Sequence, residues 1–549
     1  MRGHVAEGGK GRVYEAGSGH RFPIAARLTA RKRGTFLSFL PFALSPLLSF
    51  LPLALSPLLP LLLSGCAPEP RKAALIVAVE QDPSSLDPRV GSDVAADRAF
   101  RLLYRSLFLI GPDFEPEPDL VESWSQPSPT SYRFTLKKGI KFSDGRELTA
   151  MDVAYTLDTA RRGTVPSFKK GDLDRIASIS VPSPNELVVE LREPYAAFLS
   201  GLNIGIVPEG AAPEGAPVGA GPYRLAEWKH GLWLLFDRNP YSEQVPASPT
   251  VAFKIIPDPV VRALEMRRGS VDLVVNDLPP DSLSYFSAHG YPVYQTPGAS
   301  YAYLGLNCAR PPLDRREVRL ALALAIDREG LVRYILRGFG RPATGLLCPE
   351  NWAYDPAGGS LPFDPGRSET LLDDAGFRRG SGGVRFRLAY KTSENKVSRQ
   401  IAVAVAQDWA RIGVEASVQS LEWGTFYGDV KRGDFDAFGL TWVGVTDPDG
   451  FRLRYSSAAF PPAGLNRGRY SNPVVDRLVE EGAREQNPKR RRVLYAEVQS
   501  LLARDVPCVS LWYPDSVCVT QKGVEGVVLP ADGNFSFIPK VRRSGAGSR

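Results

Sequence analysis

Residues 384–442 read VRFRLAYKTSENKVSRQIAVAVAQDWARIGVEASVQSLEWGTFYGDVKRGDFDAFGLTW, and this stretch decides the fold class. Its periodicity predicts strands that alternate with helices, at Val384–Tyr390, Ser398–Ile412, Val414–Leu421, Thr425–Arg432 and Ala437–Trp442. Gly413 and Gly433 end the two helices, because glycine readily adopts the left-handed conformation after a last helical turn. Strands that alternate with helices form parallel sheets, so the sequence predicts an α/β fold.

A second strand–helix–strand unit lies earlier in the chain. The pattern predicts a strand at Phe253–Ile256, a helix at Val260–Arg268 and a strand at Val271–Val275. A further helix, with Asp314 as its predicted N-cap, separates the two units. The sequence therefore predicts two α/β lobes, and ligand sites commonly occupy the cleft between such lobes.

The charge of the chain is concentrated in its leader. The net charge is +7, but residues 1–65 hold eight Lys and Arg against two Asp and Glu. Residues 66–549 hold 59 Lys and Arg against 58 Asp and Glu, with His230 and His289 as their only histidines. A near-neutral body argues against nucleic-acid binding. Its scarcity of histidine leaves little material for a histidine metal site or a His-based catalytic triad.

The leader carries an apolar run from Phe36 to Leu63 behind Arg31-Lys32-Arg33. A basic region, an apolar stretch and small residues before a cleavage site are typical of a secretory signal. The run ends Leu63-Ser64-Gly65-Cys66, which resembles the bacterial lipobox, where a diacylglyceryl group is attached to the Cys sulfur. The sequence therefore predicts a lipoprotein-type signal peptide over residues 1–65 and lipidation at Cys66.

An uncleaved membrane helix is the alternative interpretation, because a run of 28 residues is long enough to span a bilayer. Five prolines between Pro41 and Pro60 argue against a lipid-exposed helix. Residues 37–47 are also nearly repeated as residues 48–58, and removing one copy leaves 17 residues, close to a normal signal.

Four cysteines remain in the body: Cys308, Cys348, Cys508 and Cys518. An even number in an exported chain permits two disulfides. Cys508 and Cys518 flank Pro514-Asp515, a turn signal between two β-rich runs, so a cross-strand bridge is one interpretation. Buried free thiols are the other interpretation for each pair.

Signatures of catalysis are absent from the sequence: it contains no P-loop, no HExxH and no GxSxG. Asp447-Pro448-Asp449-Gly450 is typical of a turn, with a weak calcium loop or a ligand contact as alternatives. Lys489-Arg490-Arg491-Arg492 is interpreted as the solvated face of a helix that Pro488 opens. We predict no catalytic residue, no metal site and no cofactor.

Five segments of the body, in order, resemble the extracellular solute-binding proteins of the peptide/nickel-type ABC importers, family 5. The most specific segment is YRFTLKKGIKFSDGRELTAMDV at residues 132–153. The others are Leu86-Asp87-Pro88, Gly219-Ala220-Gly221-Pro222-Tyr223, Val318–Arg328 and the pattern from Tyr470 to Pro507. Together they extend the resemblance over residues 73–530.

The resemblance implies a two-lobe periplasmic-binding-protein-like fold with a hinge, mixed and parallel sheets, and an inserted small domain. It assigns lobe I to residues 66–104, 217–302 and 506–549, the small domain to 105–216, and lobe II to 303–505. Such a protein closes on its ligand by a hinge motion.

The resemblance also implies ligand-binding residues. In oligopeptide-binding members, two pocket tryptophans correspond to Trp423 and Trp442 here. The aspartate that pairs with the peptide amine is replaced by Val445, and two arginines between the tryptophans are replaced by Val430 and Gly439. The predicted ligand-binding residues are therefore Trp423, Trp442, Asp447 and Asn307.

These replacements argue against a zwitterionic free peptide bound in the family's manner, because a buried ligand charge without a partner is costly. Asp447, Asp449, Lys431 or Arg432 would be substitute partners. A sugar or a capped peptide stacked on the two tryptophans is the alternative ligand. The two histidines argue against nickel held by several histidines, though not against a metal chelate.

The sequence thus predicts a lipid-anchored receptor of an ABC importer, not an enzyme. It would capture a peptide-like or other small polar solute and deliver it to permease subunits. The chain is predicted to be an exported monomer, anchored to a membrane and facing the periplasm or the cell exterior, with no nucleic-acid partner. An exported hydrolase on a similar two-lobe body and a ligand receptor for a signalling partner are the alternatives.

Overall fold

The computed structural model of the protein describes residues 73–167, 169–356, 361–462 and 464–544. The predicted signal peptide, residues 1–65, and the predicted lipidation site, Cys66, lie outside these residues. No helix among the described residues is long and apolar enough to cross a membrane.

The first half of the described chain contributes three groups of elements. The opening group is β1 (Leu75–Val79), α1 (Val94–Leu103), β2 (Phe108–Ile110) and β3 (Pro116–Pro118). The next is β4 (Val121–Ser128), β5 (Ser131–Leu136), α2 (Ala150–Arg162), α3 (Lys170–Leu173), β6 (Ile176–Ser183), β7 (Glu186–Leu191) and α4 (Phe198–Gly201). The third is β8 (Tyr223–Lys229), β9 (Trp233–Arg238), β10 (Thr250–Ile255), α5 (Pro259–Arg268), β11 (Leu273–Val275), α6 (Pro280–Ala288) and β12 (Val293–Thr296).

The second half begins with β13 (Tyr301–Leu306), α7 (Arg316–Leu324), α8 (Arg328–Gly330), a π-helical turn (Leu331–Ile335), β14 (Gly340–Pro342) and α9 (Pro365–Asp374). It continues with β15 (Phe386–Ser393), α10 (Lys396–Arg411), β16 (Val414–Leu421), α11 (Trp423–Arg432), β17 (Ala437–Trp442) and α12 (Gly450–Tyr455). It ends with α13 (Pro473–Arg484), α14 (Pro488–Asp505), β18 (Cys508–Pro514), β19 (Ser516–Thr520), β20 (Val524–Glu525) and β21 (Arg542–Arg543).

The first lobe is built on a seven-stranded sheet in the order β12-β19-β11-β1-β10-β9-β8. β1 is parallel to β10 and β11, and the other pairings are antiparallel. Asp258 caps the first turn of α5, and Gly269, at φ 74°, ends the helix and returns the chain to β11. The predicted parallel strand–helix–strand unit of this region is therefore confirmed.

The second lobe is built on a six-stranded sheet in the order β14-β18-β13-β17-β15-β16. β15 is parallel to β16 and β17, as the sequence predicts. α10 buries Trp409, Ala402 and Val405 completely against this sheet and α7. The two sheets together give the predicted two-lobe α/β fold with mixed and parallel strands.

A four-stranded antiparallel sheet, β4-β5-β7-β6, forms a separate small layer with α2. The backbone N–H and the hydroxyl of Thr149 both donate to the Asp152 carboxylate, and these contacts cap the start of α2. Leu157 and Ala160 of α2 pack in the core of this layer. All its strands lie within residues 105–216, the predicted small domain.

β18 and β19 do not pair with each other, although a turn separates them in sequence. β18 pairs with β13 and β14 in the second sheet, whereas β19 pairs with β11 and β12 in the first. The end of the second lobe therefore lies near Pro514 rather than at the predicted residue 505. Cys508 and Cys518 consequently belong to different sheets, and both remain free thiols, as do Cys308 and Cys348. Burial raises the pKa of Cys308 and of Cys348 to about 11.

Two short segments connect the lobes, and they lie against each other. The first runs from Thr296 to Tyr301, and the second is the step from Pro514 to Ser516. The Asp515 carboxylate accepts a hydrogen bond of 2.6 Å from the Gln295 amide. We call these two segments the hinge.

Candidate ligand-binding cleft

The first sheet turns the carboxyl ends of its parallel strands toward the hinge. The last residue of β11, Val275, pairs with Cys518, so the start of β19 extends beyond the end of β11. The last residue of β12, Thr296, pairs with Ser516, where the second hinge segment ends. Both hinge segments therefore meet the first sheet at the edge formed by the ends of β1 and β11.

The second sheet also turns the carboxyl ends of its parallel strands toward the hinge. Trp442, the last residue of β17, pairs with Tyr301, the first residue of β13 after the hinge. β15 and β16 run parallel to β17, so their carboxyl ends lie at this edge too. Ligands of open α/β sheets bind outside the carboxyl ends of the strands. The hinge thus joins the two edges at which a ligand site is expected.

A cavity of about 1110 Å³ lies on the first-lobe side of the hinge. Its walls come from α1, the β2–β3 hairpin and the chain beyond β20, and it reaches Thr296 and Pro297 of the hinge and Glu350 of the second lobe. Its charged lining residues are Asp93, Asp97, Arg101, Arg105, Glu117, Asp119, Lys169, Glu350, Asp532 and Lys540. The volume is large enough for a peptide-sized solute.

Trp423 is exposed at the edge of the second sheet. It is the first residue of α11, and 55% of its surface is accessible. The Glu422 carboxylate accepts hydrogen bonds from the backbone N–H groups of Gly424 and Thr425, so α11 begins two residues before the predicted Thr425. The indole of Trp423 stacks on Tyr427, with ring centroids 5.5 Å apart and planes 4° apart.

Trp442 is half-buried and connected to Trp423 through stacked side chains. The guanidinium of Arg467 lies 5.2 Å from the Tyr427 ring and 4.1 Å from the Trp442 ring. The guanidinium of Arg454 lies 4.2 Å from the same Trp442 ring. We call the series Trp423, Tyr427, Arg467, Trp442 and Arg454 the aromatic–arginine ladder. The structure thus brings the two predicted tryptophans into one continuous surface.

Polar contacts fix Arg467 within the ladder. Its two terminal nitrogens donate to the hydroxyls of Tyr303 and Tyr427, each at 3.0 Å. The preceding Asn466 holds the loop by donating to the carbonyls of Ser456 and Tyr470. Burial raises the pKa of Tyr303 to about 12, although Arg467 acts in the opposite direction. The sequence offered no signal for Arg467, because its partners are distant in the chain.

Asp447 lies at the boundary between the second lobe and the small layer. Its carboxylate accepts from both terminal nitrogens of Arg491, at 2.7 and 3.3 Å. It also accepts from the backbone N–H of Asp449 at 2.7 Å and lies 3.5 Å from the Ser200 hydroxyl. Arg491 is therefore buried in an ion pair, which corrects the prediction that the whole basic run is a solvated face.

Three cross-domain contacts form what we call the latch. The Tyr195 hydroxyl donates to the Asp449 carboxylate at 3.0 Å, and the Ala196 N–H donates to the Ala483 carbonyl at 2.8 Å. The contact between Ser200 and Asp447 is the third. The Asp449 carboxylate also receives two hydrogen bonds from Arg452. The small layer thus contacts the second lobe through Tyr195 and Ala196, which precede α4, and through Ser200 within α4.

Asn307 lies away from the tryptophans. It is 2% exposed, and its amide donates to the carbonyls of Gly433 and Phe435. It follows Leu306, the far end of β13 from Trp442, so the structure does not bring it together with the ladder. Its visible role is to hold the turn between α11 and β17.

The two positions that carry arginines in oligopeptide binders leave little room for a long side chain in this protein. Val430 is fully buried, and a side chain at Gly439 would meet the hydroxyl of Tyr390 at 2.9 Å. Lys431 lies 5.1 Å from the Tyr427 ring, and Arg432 pairs with Asp429. Among the described residues, no group of three or more His, Cys, Asp or Glu is placed to hold a metal ion.

Two α/β lobes joined by a two-segment hinge, with stacked aromatic residues at the hinge-side edge of the second sheet, define the class of two-lobe solute-binding proteins. The family model of the bacterial extracellular solute-binding proteins, family 5, matches residues 115–460. The chain therefore belongs to this family. The resemblance of its sequence to the solute-binding proteins of peptide/nickel-type importers is thereby confirmed.

Relatives and solved structures agree with this assignment. The chain is 30% identical over 481 residues to protein XP55 of Streptomyces lividans, covering 84% of this chain and 87% of that protein. It is 25% identical over 500 residues to the dipeptide-binding protein of Escherichia coli, covering 84% and 93%. The oligopeptide-binding protein AppA of Bacillus subtilis, solved with a nonapeptide, superposes with a TM-score of 0.75 at 25% identity, covering 86% and 99%.

Proposed function

We propose that the protein is the lipid-anchored receptor of an ABC importer, which captures a peptide-like or other small polar solute between its lobes and delivers it to a membrane permease. The observation that carries this proposal is the hinge, because it joins two sheet edges of the kind that bind ligands and places a cavity of about 1110 Å³ beside them. Two of the relatives, the dipeptide-binding protein of Escherichia coli and AppA of Bacillus subtilis with its nonapeptide, support a solute of this class.

The proposed capture step uses the hinge and the latch together. Ligand contacts with both lobes stabilise the closed arrangement, and the permease then recognises that arrangement. The latch supplies contacts between the small layer and the second lobe that do not require the solute. Closure therefore depends on the sum of ligand contacts and latch contacts.

We expect Trp423→Ala to weaken solute binding about tenfold, since a lost stacking partner costs about 0.5–1.5 kcal/mol beyond its buried area. The solute is first identified by mass spectrometry after it co-purifies with a chain that starts at Ala67, and its Kd is then measured by calorimetry. Tyr334→Ala is the matched control, because Tyr334 is 65% exposed in the second lobe. Equal Kd values for Trp423→Ala and the control would remove Trp423 from the site.

Lipid anchoring rests on Leu63-Ser64-Gly65-Cys66. A diacylglyceryl cysteine, usually also N-acylated, provides more than one chain, which stable anchoring requires. We expect membrane-extracted protein to lack residues 1–65 and to carry an acylated Cys66, and we expect Cys66→Ala to release the body or to stall processing. An intact leader on membrane-bound wild-type protein, measured by mass spectrometry, would contradict the anchor.

A further inference from the structure

Two adjacent arginines in the ladder have no ion-pair partner among the described residues. The guanidiniums of Arg454 and Arg467 lie 4.2 and 4.1 Å from the Trp442 ring. Asp449, a nearby carboxylate in sequence, is engaged by Arg452 and Tyr195. Two positive charges therefore face one indole ring without a negative charge between them.

The hydrogen bonds of this pair are incomplete. Arg467, 8% exposed, donates only to tyrosine hydroxyls, and Arg454 donates to the Gly450 carbonyl at 3.0 Å. The Nε of Arg454 is buried and has no hydrogen-bond partner. A buried donor that stays unpaired is unfavourable, and more so on a charged group.

Several other buried arginines have more acceptors than this pair. Arg89, Arg98 and Arg105 each pair with a carboxylate at 2.6–2.7 Å. Arg319 and Arg328 lack a carboxylate, but all their guanidinium nitrogens donate to backbone carbonyls. The Nε of Arg98 is also unpaired. What distinguishes Arg454 and Arg467 is that, among the described residues, they have no carboxylate partner and only one backbone acceptor between them, the Gly450 carbonyl.

A small cavity lies between these arginines. Arg454, Arg467, Trp442 and Tyr303 line a space of about 30 Å³. A water molecule needs about 10–15 Å³ of cavity volume, so this space admits small polar groups. A carboxylate group has two oxygens, and guanidinium groups bind it through charge-assisted hydrogen bonds.

We propose that Arg454 and Arg467 bind a carboxylate of the captured solute, a role that rests on the proposed function. The group enters beside Trp442, at the sheet edge that faces the hinge, and the rest of the solute lies along the ladder toward Trp423. The missing arginines at Val430 and Gly439 are thereby replaced from a different part of the chain. The solute is then a carboxylate-bearing molecule rather than a neutral sugar or a fully capped peptide.

The test compares succinate with its neutral analogue succinamide on the chain that starts at Ala67. Calorimetry at constant ionic strength is expected to detect succinate and to show at least tenfold weaker binding of succinamide. Arg467→Met is expected to weaken succinate binding at least tenfold. Arg387→Met is the matched control, because Arg387 is 74% exposed on the second sheet, and its Kd is expected to equal that of wild type.

Several outcomes overturn the proposal. They are equal binding of the two probes, no succinate binding, inorganic phosphate binding as tightly as succinate, or equal succinate Kd values for wild type and Arg467→Met. If Arg467→Met does not fold, Arg454→Gln carries the same test, since Arg454 keeps only one side-chain hydrogen bond to the protein.

Small-angle scattering separates this inference from the proposed function. A co-purified neutral solute that lowers the radius of gyration shows capture by closure and overturns the carboxylate assignment. Succinate binding that depends on Arg467, with no solute producing closure, supports the assignment and counts against the proposed function.

Discussion

Arg491→Met is expected to lower the free energy of unfolding by about 3–5 kcal/mol, because it leaves the carboxylate of a buried ion pair unpaired. The Arg491 side chain is 7% exposed and that of Asp447 18% exposed. Burial alone would lower the pKa of Arg491, but Asp447 outweighs burial and raises it. Urea denaturation followed by circular dichroism measures the change.

Two further variants make this prediction specific. Arg490→Met removes the neighbouring guanidinium, which is 78% exposed and pairs with Glu485, so we expect a change of about 0.5 kcal/mol or less. Combining Arg491→Met with Asp447→Leu removes both charges and is expected to recover much of the loss. A loss for Arg491→Met no larger than for Arg490→Met would contradict the structural role of the ion pair.

Gly298→Val is expected to destabilise the protein by about 3 kcal/mol or more, at the upper end of the cost of overpacking. A Cβ atom at Gly298 would lie 2.0 Å from the Pro514 carbonyl oxygen and 3.3 Å from the Ser516 nitrogen. Both neighbours are backbone atoms of the other hinge segment, so the clash is relieved only when the two segments separate. Thermal unfolding reports the stability.

Gly382→Ala is the control for this substitution, because nothing lies within 4 Å of a Cβ atom added there. We expect its melting temperature to remain near that of wild type. We also expect Gly298→Val to alter the decrease in radius of gyration that solute binding produces in the wild type, because separated hinge segments no longer guide closure. Wild-type stability and wild-type closure in Gly298→Val would show that the hinge segments need not touch.

The strands and helices were predictable where the local pattern suffices. β16 and β17 were predicted with their bounds as observed, and α10 was predicted to within two residues at each end, because burial of one face gives a helix or a strand a short hydrophobic period. The crossing from Pro514 to Ser516 was not predictable. A proline and an aspartate between two β-rich runs are typical of a hairpin, while the true strand partners lie about two hundred residues away.

The site was predictable only in part for the same reason. Trp423 and Trp442 of the candidate site were predicted by resemblance, and the structure brings them into one ladder. Arg467 and Arg454 were missed because their contacts are made through tertiary packing. Arg491 was misassigned because a run of four basic residues is usually solvated, whereas one helix face of that run is turned toward Asp447.

The order of strands in the first sheet has a consequence for synthesis of the chain. β19 lies between β11 and β12 and pairs with both, yet it follows them by more than two hundred residues. The sheet that contains the first described strand is therefore completed last as the chain emerges, whereas the second sheet already has all of its described strands by Pro514. Until Ser516 is available, β11 and β12 have open edges that other strands can pair with. The first lobe, whose strands are synthesised early, is therefore the last to form all of its strand pairings.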